Sequence, residues 1–365
     1  MNLTRTARFS LVVAAGALAL AACGSNSSSD TSTSGGSSAS TACATGSIKA
    51  SGSSAQKNAM TDWVNAFQQA CAGATINYQA NGSGAGIQDF TNAQTAFAGS
   101  DSPLKDTEQA AADKRCATGT AINIPMVGSA ISVAYNVAGV DKLVLTPEVI
   151  TGIFANTITK WNDPKIAALN AGVTLPDATI VQFHRSDASG TTANFTAWLK
   201  DTDTMWTFDT GKEWKAPGGQ GSKGTDGVVS SLKSTPNSIG YVDLAALDGV
   251  ADIKSAWIDN GAGAVEATPD NAAITIAGAT VTGTGNNLSL KLDHKIQTPN
   301  AYPIVLVTYE ITCEKGLSAT DSALVKAFLT YTAGTEGQGG LAATGYVPIT
   351  GDLLTKVQTA VASIA

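Results

Sequence analysis

The chain has 365 residues, 43% of them hydrophobic and only 14% charged, with a net charge of −7. That length is enough for two domains of ordinary size, and the acidic balance argues against nucleic acid as a partner. An acidic body also repels anions at long range, so any anion it binds has to be held by local dipoles and hydrogen bonds.

Arg5 and Arg8 precede an apolar run from Phe9 to Ala22. The run is too short for a normal membrane span, and residues 1–22 read as a signal peptide. Leu20-Ala21-Ala22-Cys23 is similar to a bacterial lipobox. The similarity implies cleavage before Cys23 and a lipid on its sulfur; a plain secretory signal with an incidental cysteine is the alternative. Residues 23–46 are dominated by Ser, Thr, Gly and Ala, a composition that buries too little apolar surface to order itself, and they read as a tether. No later segment is apolar enough to span a bilayer. The expected place is the outer face of the cytoplasmic membrane, lipid-anchored rather than integral.

Ile48 to Ala50 reads as a first strand. Met60, Trp63, Val64 and Phe67 then mark one face of a helix, and Thr75 to Gln79 is the next strand. Ile87 and Phe90 open a second helical stripe that extends toward Ala93 and Phe97. Ala121 to Asn136 is apolar and β-branched, suited to one or two buried strands. Thr146-Pro147 and Asp163-Pro164 each place a capping side chain before a first-turn proline. Thr179 to Phe183 reads as a strand leading to Arg185, and Thr192 to Leu199 as a helix with Phe195, Trp198 and Leu199 on one face. Gly218 to Gly227 is a glycine-dense loop, and Ser238 to Val242 a short strand. After a weakly patterned stretch from Asn271 to Leu290, Tyr302 to Ile311 is a strongly apolar strand. Helices follow at Ala323 to Thr332 and Leu353 to Ile364. Strands alternating with helices imply an α/β fold with mainly parallel sheets, in which ligands sit where strand ends meet helix starts.

Cys43, Cys71, Cys116 and Cys313 make an even number in an exported chain, which suggests two disulfides. Three pairings are open. Cys71 ends a helical pattern and Cys116 precedes a strand, which favours 71–116 with 43–313. There is no C-x-x-C and the only histidines are His184 and His294, so neither a metal site nor a cofactor is expected. No serine has glycine at both −2 and +2, and no Walker-type phosphate loop occurs. Gly82-Ser83-Gly84-Ala85-Gly86-Ile87 departs from the dinucleotide fingerprint, since its third glycine is one place early. The chain is therefore read as a binder and not an enzyme.

Four stretches carry the chemistry: Ser51-Gly52-Ser53-Ser54, Asn81-Gly82-Ser83-Gly84, Gly99-Ser100-Asp101, and Arg185 to Thr191. Helix starts offer free N–H groups and a positive dipole end. Each of Ser54, Ser83, Ser189 and Thr191 taken singly is better explained as a helix cap than as a ligand contact. Arg185 offers a planar fork of donors for a tetrahedral oxyanion, with Asp187 placed to hold it. Asp101 repels an anion unless that anion donates a hydrogen, which protonated phosphate does and ionised sulfate does not.

These stretches, with Phe97 to Leu104, Ile158 to Asp163 and Ser238 to Tyr241, resemble the phosphate-binding lipoproteins of ABC-type phosphate transporters. The resemblance runs from about Ser47 to the C-terminus. It implies a two-lobed periplasmic-binding-protein (type II) fold that closes on the anion about two hinge crossings, near Val133 to Asn136 and near Tyr302 to Val307. The first lobe would be residues 47–134 with 303–365, and the second residues 135–302. The implied phosphate contacts are Ser54, Ala55 (through its backbone N–H), Ser83, Asp101, Arg185, Ser189, Gly190 and Thr191, with Asp187 pairing Arg185. Permease subunits in the membrane are the implied partners of a monomer that delivers phosphate. A sulfate or molybdate binder, a secreted phosphatase and a surface adhesin are the rival readings.

Overall fold

The computed structural model describes residues 43–365; the stretch read as a signal peptide, Cys23 and most of the stretch read as a tether lie outside them. The elements that position the site are, in chain order, β1 (Gly46–Gly52), α1 (Lys57–Ala70), β2 (Ala74–Gln79), α2 (Ser83–Thr91), β3 (Phe97–Ser100), α3 (Asp106–Cys116), β4 (Ala121–Asn136), β5 (Val181–Arg185), α4 (Gly190–Thr202), β6 (Gln220–Ser222), α5 (Gly224–Ser234), β7 (Ser238–Asp243) and β8 (Val305–Cys313).

One sheet runs in the order β2-β1-β3-β8-β4-β7-β5-β6, with Val347–Pro348 and Lys254–Ser255 added against β4. The parallel pairs expected from the alternating pattern occupy the flanks: β1 with β2 and β3 on one side, β5 with β6 and β7 on the other. Between them β8 and β4 pair antiparallel with each other and with the flanks, so the sheet as a whole is mixed. Ala121 to Asn136 forms one strand, whose residues 121–130 pair with β8 and 131–136 with β7. Fifteen of its 16 residues are buried, as a strand covered on both faces requires.

Local chemistry explains most boundaries. Met60, Trp63 and Phe67 bury the apolar face of α1. Thr146 and Asp163 cap their proline-started helices by accepting the Val149 and Lys165 amides. Three expectations change. The second helix ends at Thr91, Ala93 takes a left-handed φ of 57°, and Phe97 starts β3 instead of extending the helix. The glycine-dense loop contains β6 and the start of α5. The stretch from Asn271 to Leu290 overlaps the helix Pro269–Ala277, and a two-strand ribbon of Thr280–Val281 with Leu290–Lys291 follows that helix.

The disulfides are Cys43–Cys71 and Cys116–Cys313, not the favoured 71–116 and 43–313. The parallel pairing of β1 with β2 sets Gly46 beside Ala74. Cys43 and Cys71 therefore meet just before the two strands begin. Cys116 ends α3, and Cys313 ends β8 opposite Ala121 at the start of β4. Sheet register, which no spacing of cysteines reveals, decides the pairing. Among the described residues no helix is long and apolar enough to cross a membrane, and no cluster of three or more His, Cys, Asp or Glu is placed to hold a metal ion.

Candidate anion-binding site

The four stretches converge at the strand ends of the two flanks. Ser83 opens α2 after Gly82, whose φ of 103° suits glycine. Asp101 follows β3, and Arg185 is the last residue of β5. Ser189 caps α4 by accepting the Thr192 amide at 3.2 Å, so its hydroxyl serves the helix.

Asp101 is 2% exposed. Its Oδ1 accepts from Ser53 and from Thr308 Oγ1 at 2.9 Å. Its Oδ2 accepts from Ser83 Oγ at 3.3 Å and Thr191 Oγ1 at 3.4 Å. Burial pushes its carboxyl above the usual carboxylate range, against the Ser53 and Thr308 hydrogen bonds and the Arg185 charge. The Ser83 hydroxyl also accepts the Asp101 and Gly190 amides, both at 3.2 Å.

Arg185 is buried, and its Nε donates to Asp187 Oδ1 at 2.7 Å while Nη2 reaches Oδ2. Burial raises the Asp187 carboxyl, but the Arg185 hydrogen bond and charge and the Gly224 amide outweigh it, and the net shift is downward. Asp187 stays ionised and fixes the plane of the guanidinium. Ser54 Oγ lies 3.1 Å from both the hydroxyl and the amide of Thr225, at the start of α5. The Ala55 amide donates to Ser53 Oγ at 3.0 Å. Hydrogen bonds and proximity thus bring together all eight expected contact residues and Asp187.

The two flanks meet closely here. Gly84 N donates to Ala188 O at 2.9 Å, Asn194 Nδ2 to Asp101 O at 2.6 Å, and Lys212 Nζ to both Glu108 oxygens at 2.9 Å. A Cβ on Gly190 would stand 2.6 Å from Asp101 Cβ and 2.7 Å from Ser83 Oγ. Such an arrangement gathers hydroxyls, backbone amides, one fixed guanidinium and one buried carboxyl where the two flanks meet. It has donors for several oxygens of an oxyanion and a single acceptor for a proton.

Sequence reasoning gave no individual role to five participants. Ser53 and Thr308 hold Asp101. Tyr241, whose hydroxyl accepts the Arg185 amide at 3.1 Å and lies 2.7 Å from Thr192 Oγ1, fixes the end of β5. Gly224 and Thr225 bring α5 into the site. Thr308 did leave a signal, since a hydroxyl within an apolar buried strand calls for a partner; Gly224 and Thr225 lay unassigned in the glycine-dense loop.

Comparison with known proteins identifies the family and the fold. Residues 37–336 match the sequence model of the PBP superfamily domain. The chain is 44% identical to "Phosphate-binding protein PstS 3" of Mycobacterium tuberculosis (strain ATCC 25618 / H37Rv), over all of both chains. It is 43% identical to the protein of that name from Mycobacterium leprae, over 97% of each. Among solved structures, a high affinity periplasmic phosphate-binding protein (PfluDING) bound with phosphate at pH 8.5 is similar in fold. It has a TM-score of 0.68 and 21% identity, over 86% of this chain and 93% of that one.

Proposed function

The chain belongs to the PstS family of phosphate-binding proteins within the PBP superfamily, and from that membership we propose that it is the extracytoplasmic inorganic phosphate receptor of an ABC importer. The observation that carries the reading is Asp101: a buried carboxyl with hydroxyl donors around it and Arg185 within reach of its charge.

In this reading Arg185 and the amides at the starts of α1, α2 and α4 take the phosphate oxygens, helped by the hydroxyls of Ser54, Ser83, Ser189 and Thr191 and the amides of Ala55 and Gly190. Asp101 and phosphate share one proton across a single hydrogen bond. Sulfate brings no proton near neutral pH, so its oxygen meets the Asp101 carboxylate unpaired and is rejected. Selectivity thus comes from one acceptor, and affinity from many donors in a dry site where each is worth more than in water.

The lobes in this reading are residues 47–134 with 303–365 and residues 135–302. The exchange of partners along β4, between Ala130 and Ile131, supports a crossing a few residues ahead of that boundary. Closure about the two crossings brings Asp101 and Ser83 against Gly190 and Thr191. A lipid on Cys23 would leash the receptor to the outer face of the cytoplasmic membrane, from which it would dock as a monomer on the permease subunits. No step of this function needs catalysis or a cofactor.

Calorimetric titration of the body from Ser47 onward, stripped of ligand, tests the reading. Tight one-to-one binding of phosphate without a sulfate signal at pH 7 is expected. Binding of sulfate as tightly as phosphate would overturn the role given to Asp101. Silence with both anions would overturn the receptor, and turnover of a phosphate ester would move the chain to the phosphatases.

A further inference from the structure

Among the described residues two ion pairs join residues 47–134 to residues 135–302. Lys57, which opens α1, reaches Asp226 in the first turn of α5, and both side chains are well exposed. Such a pair contributes little. Lys212 and Glu108 differ. The Lys212 side chain is only 6% exposed and that of Glu108 25%. Lys212 Nζ donates to both Glu108 oxygens at 2.9 Å.

Each partner is tied to its own half of the anion site. Asp101 and Glu108 lie on one short stretch that ends in the first turn of α3. Glu108 Oε2 accepts the Lys105 amide at 2.9 Å, and Asn123 Oδ1 accepts the Leu104 amide at 2.9 Å. The Cys116–Cys313 disulfide joins the end of α3 to β8, the strand that supplies Thr308. On the other side, the Lys212 carbonyl accepts the Ser189 amide at 2.8 Å. The Gly211 amide donates to Thr196 Oγ1 on α4 at 3.3 Å. Trp214 stacks on His184 and on Tyr241, whose hydroxyl holds the Arg185 amide. Lys212 is thus carried by the same elements that hold Arg185 to Thr191.

We propose that Lys212 and Glu108 form a latch beside the anion site: two positioning residues that hold the lobes closed and so set the rate at which phosphate leaves. The inference rests on the phosphate-receptor reading and its two lobes. Burial pushes the Lys212 ammonium down from its ordinary value, against the Glu108 hydrogen bond and charge. A buried ammonium that loses its carboxylate is costly. When the lobes part, both charges return to water and that cost vanishes. Removing either partner therefore penalises the closed form and leaves the open form as it was.

The test compares wild type with Lys212→Met, Glu108→Gln and the double variant. Release of radiolabelled inorganic phosphate is followed after a chase with unlabelled phosphate, and Tm is measured without ligand. Each single variant is expected to release phosphate about tenfold faster than wild type. The double variant should be no faster than the faster single one, and ligand-free Tm should barely move. Release about a hundredfold faster in the double variant, the product of two independent effects, would overturn the latch. A fall in ligand-free Tm with release unchanged would make the pair a brace of the fold and overturn it too. Slower release from Glu108→Gln would mean that the freed Lys212 serves the anion directly, which also overturns it. Should Lys212→Met fail to fold, Glu108→Gln decides alone, since its amide oxygen still accepts the Lys105 amide; unchanged release would then refute the latch. A wild-type chain that binds no phosphate would overturn the receptor reading and take the inference with it.

Discussion

The Ser83 hydroxyl accepts the Gly190 amide at 3.2 Å, a bond between residues 107 apart in the chain. The same hydroxyl reaches Asp101 at 3.3 Å. One side chain at the start of α2 therefore joins the acceptor carboxyl on one flank of the sheet to the helix start on the other. An anion held by these groups is held by both flanks at once, which is how a small ligand gains enough differential contact to favour a closed form over an open one.

Replacing Asp101 tests selectivity. Asp101→Asn turns the single acceptor into a group that also donates, so sulfate should bind measurably at pH 7 and phosphate more weakly than in wild type. Since the Asp101 carboxyl is raised by burial, lowering the pH should protonate it and let wild type bind some sulfate as well. Competition titrations with sulfate at pH 5 and pH 7 read both effects; unchanged selectivity in the variant would remove Asp101 from this role.

Arg185→Ala removes one partner of a buried, hydrogen-bonded charge pair and leaves Asp187 uncompensated. Such truncations cost about 2–5 kcal/mol of binding. Phosphate affinity measured by calorimetry should fall by that amount. Near-wild-type affinity would show that the guanidinium does not face the ligand.

Gly190→Ala probes closure. The added Cβ would stand 2.6 Å from Asp101 Cβ and 2.8 Å from the Asp101 amide, atoms that belong to the opposite flank. Forcing a methyl into such a space costs about 1–3 kcal/mol. Phosphate affinity should drop while thermal stability without ligand changes less, because an open form relieves the clash. Equal losses in both measurements would argue that the flanks do not separate.

Asp243 predicts a pH dependence of stability. Burial raises its carboxyl to about 8, against a hydrogen bond from Ser129. A group that holds its proton more tightly folded than unfolded stabilises the fold fully below its unfolded value of about 4. That stabilisation is lost as pH rises toward 8. Asp243→Asn should therefore flatten the fall of Tm between pH 5 and pH 8; Tm curves of wild type and variant that stay parallel across this range would refute it.

The disulfides should contribute unequally. Cys116–Cys313 spans 197 residues and Cys43–Cys71 spans 28. Removing a native disulfide costs about 2–5 kcal/mol, more for longer loops by the chain-entropy argument. Urea unfolding of the two paired Cys→Ser variants should show the larger loss, by about 1–2 kcal/mol, for the 116–313 pair. A larger loss for 43–71 would contradict it.

Much was legible from the residues alone. Helix faces such as Met60, Trp63 and Phe67, proline-started caps such as Thr146-Pro147, and the glycine and hydroxyl stretches at strand ends all depend on neighbours within about a turn. Local spacing fixes them wherever the rest of the chain lies. The same local logic grouped Ser83, Asp101 and Arg185, which the fold does bring near one another.

What depended on the path of the chain through the sheet was not legible. The cysteine pairing followed from β1 lying beside β2 and from Cys313 ending opposite Ala121. Thr308 comes under Asp101 only because β8 pairs with β3 across more than 200 residues. Tyr241 meets Arg185 because β7 lies beside β5. Such contacts are bought with burial of the whole sheet and its register, a property of all the strands together. No short window of sequence carries it.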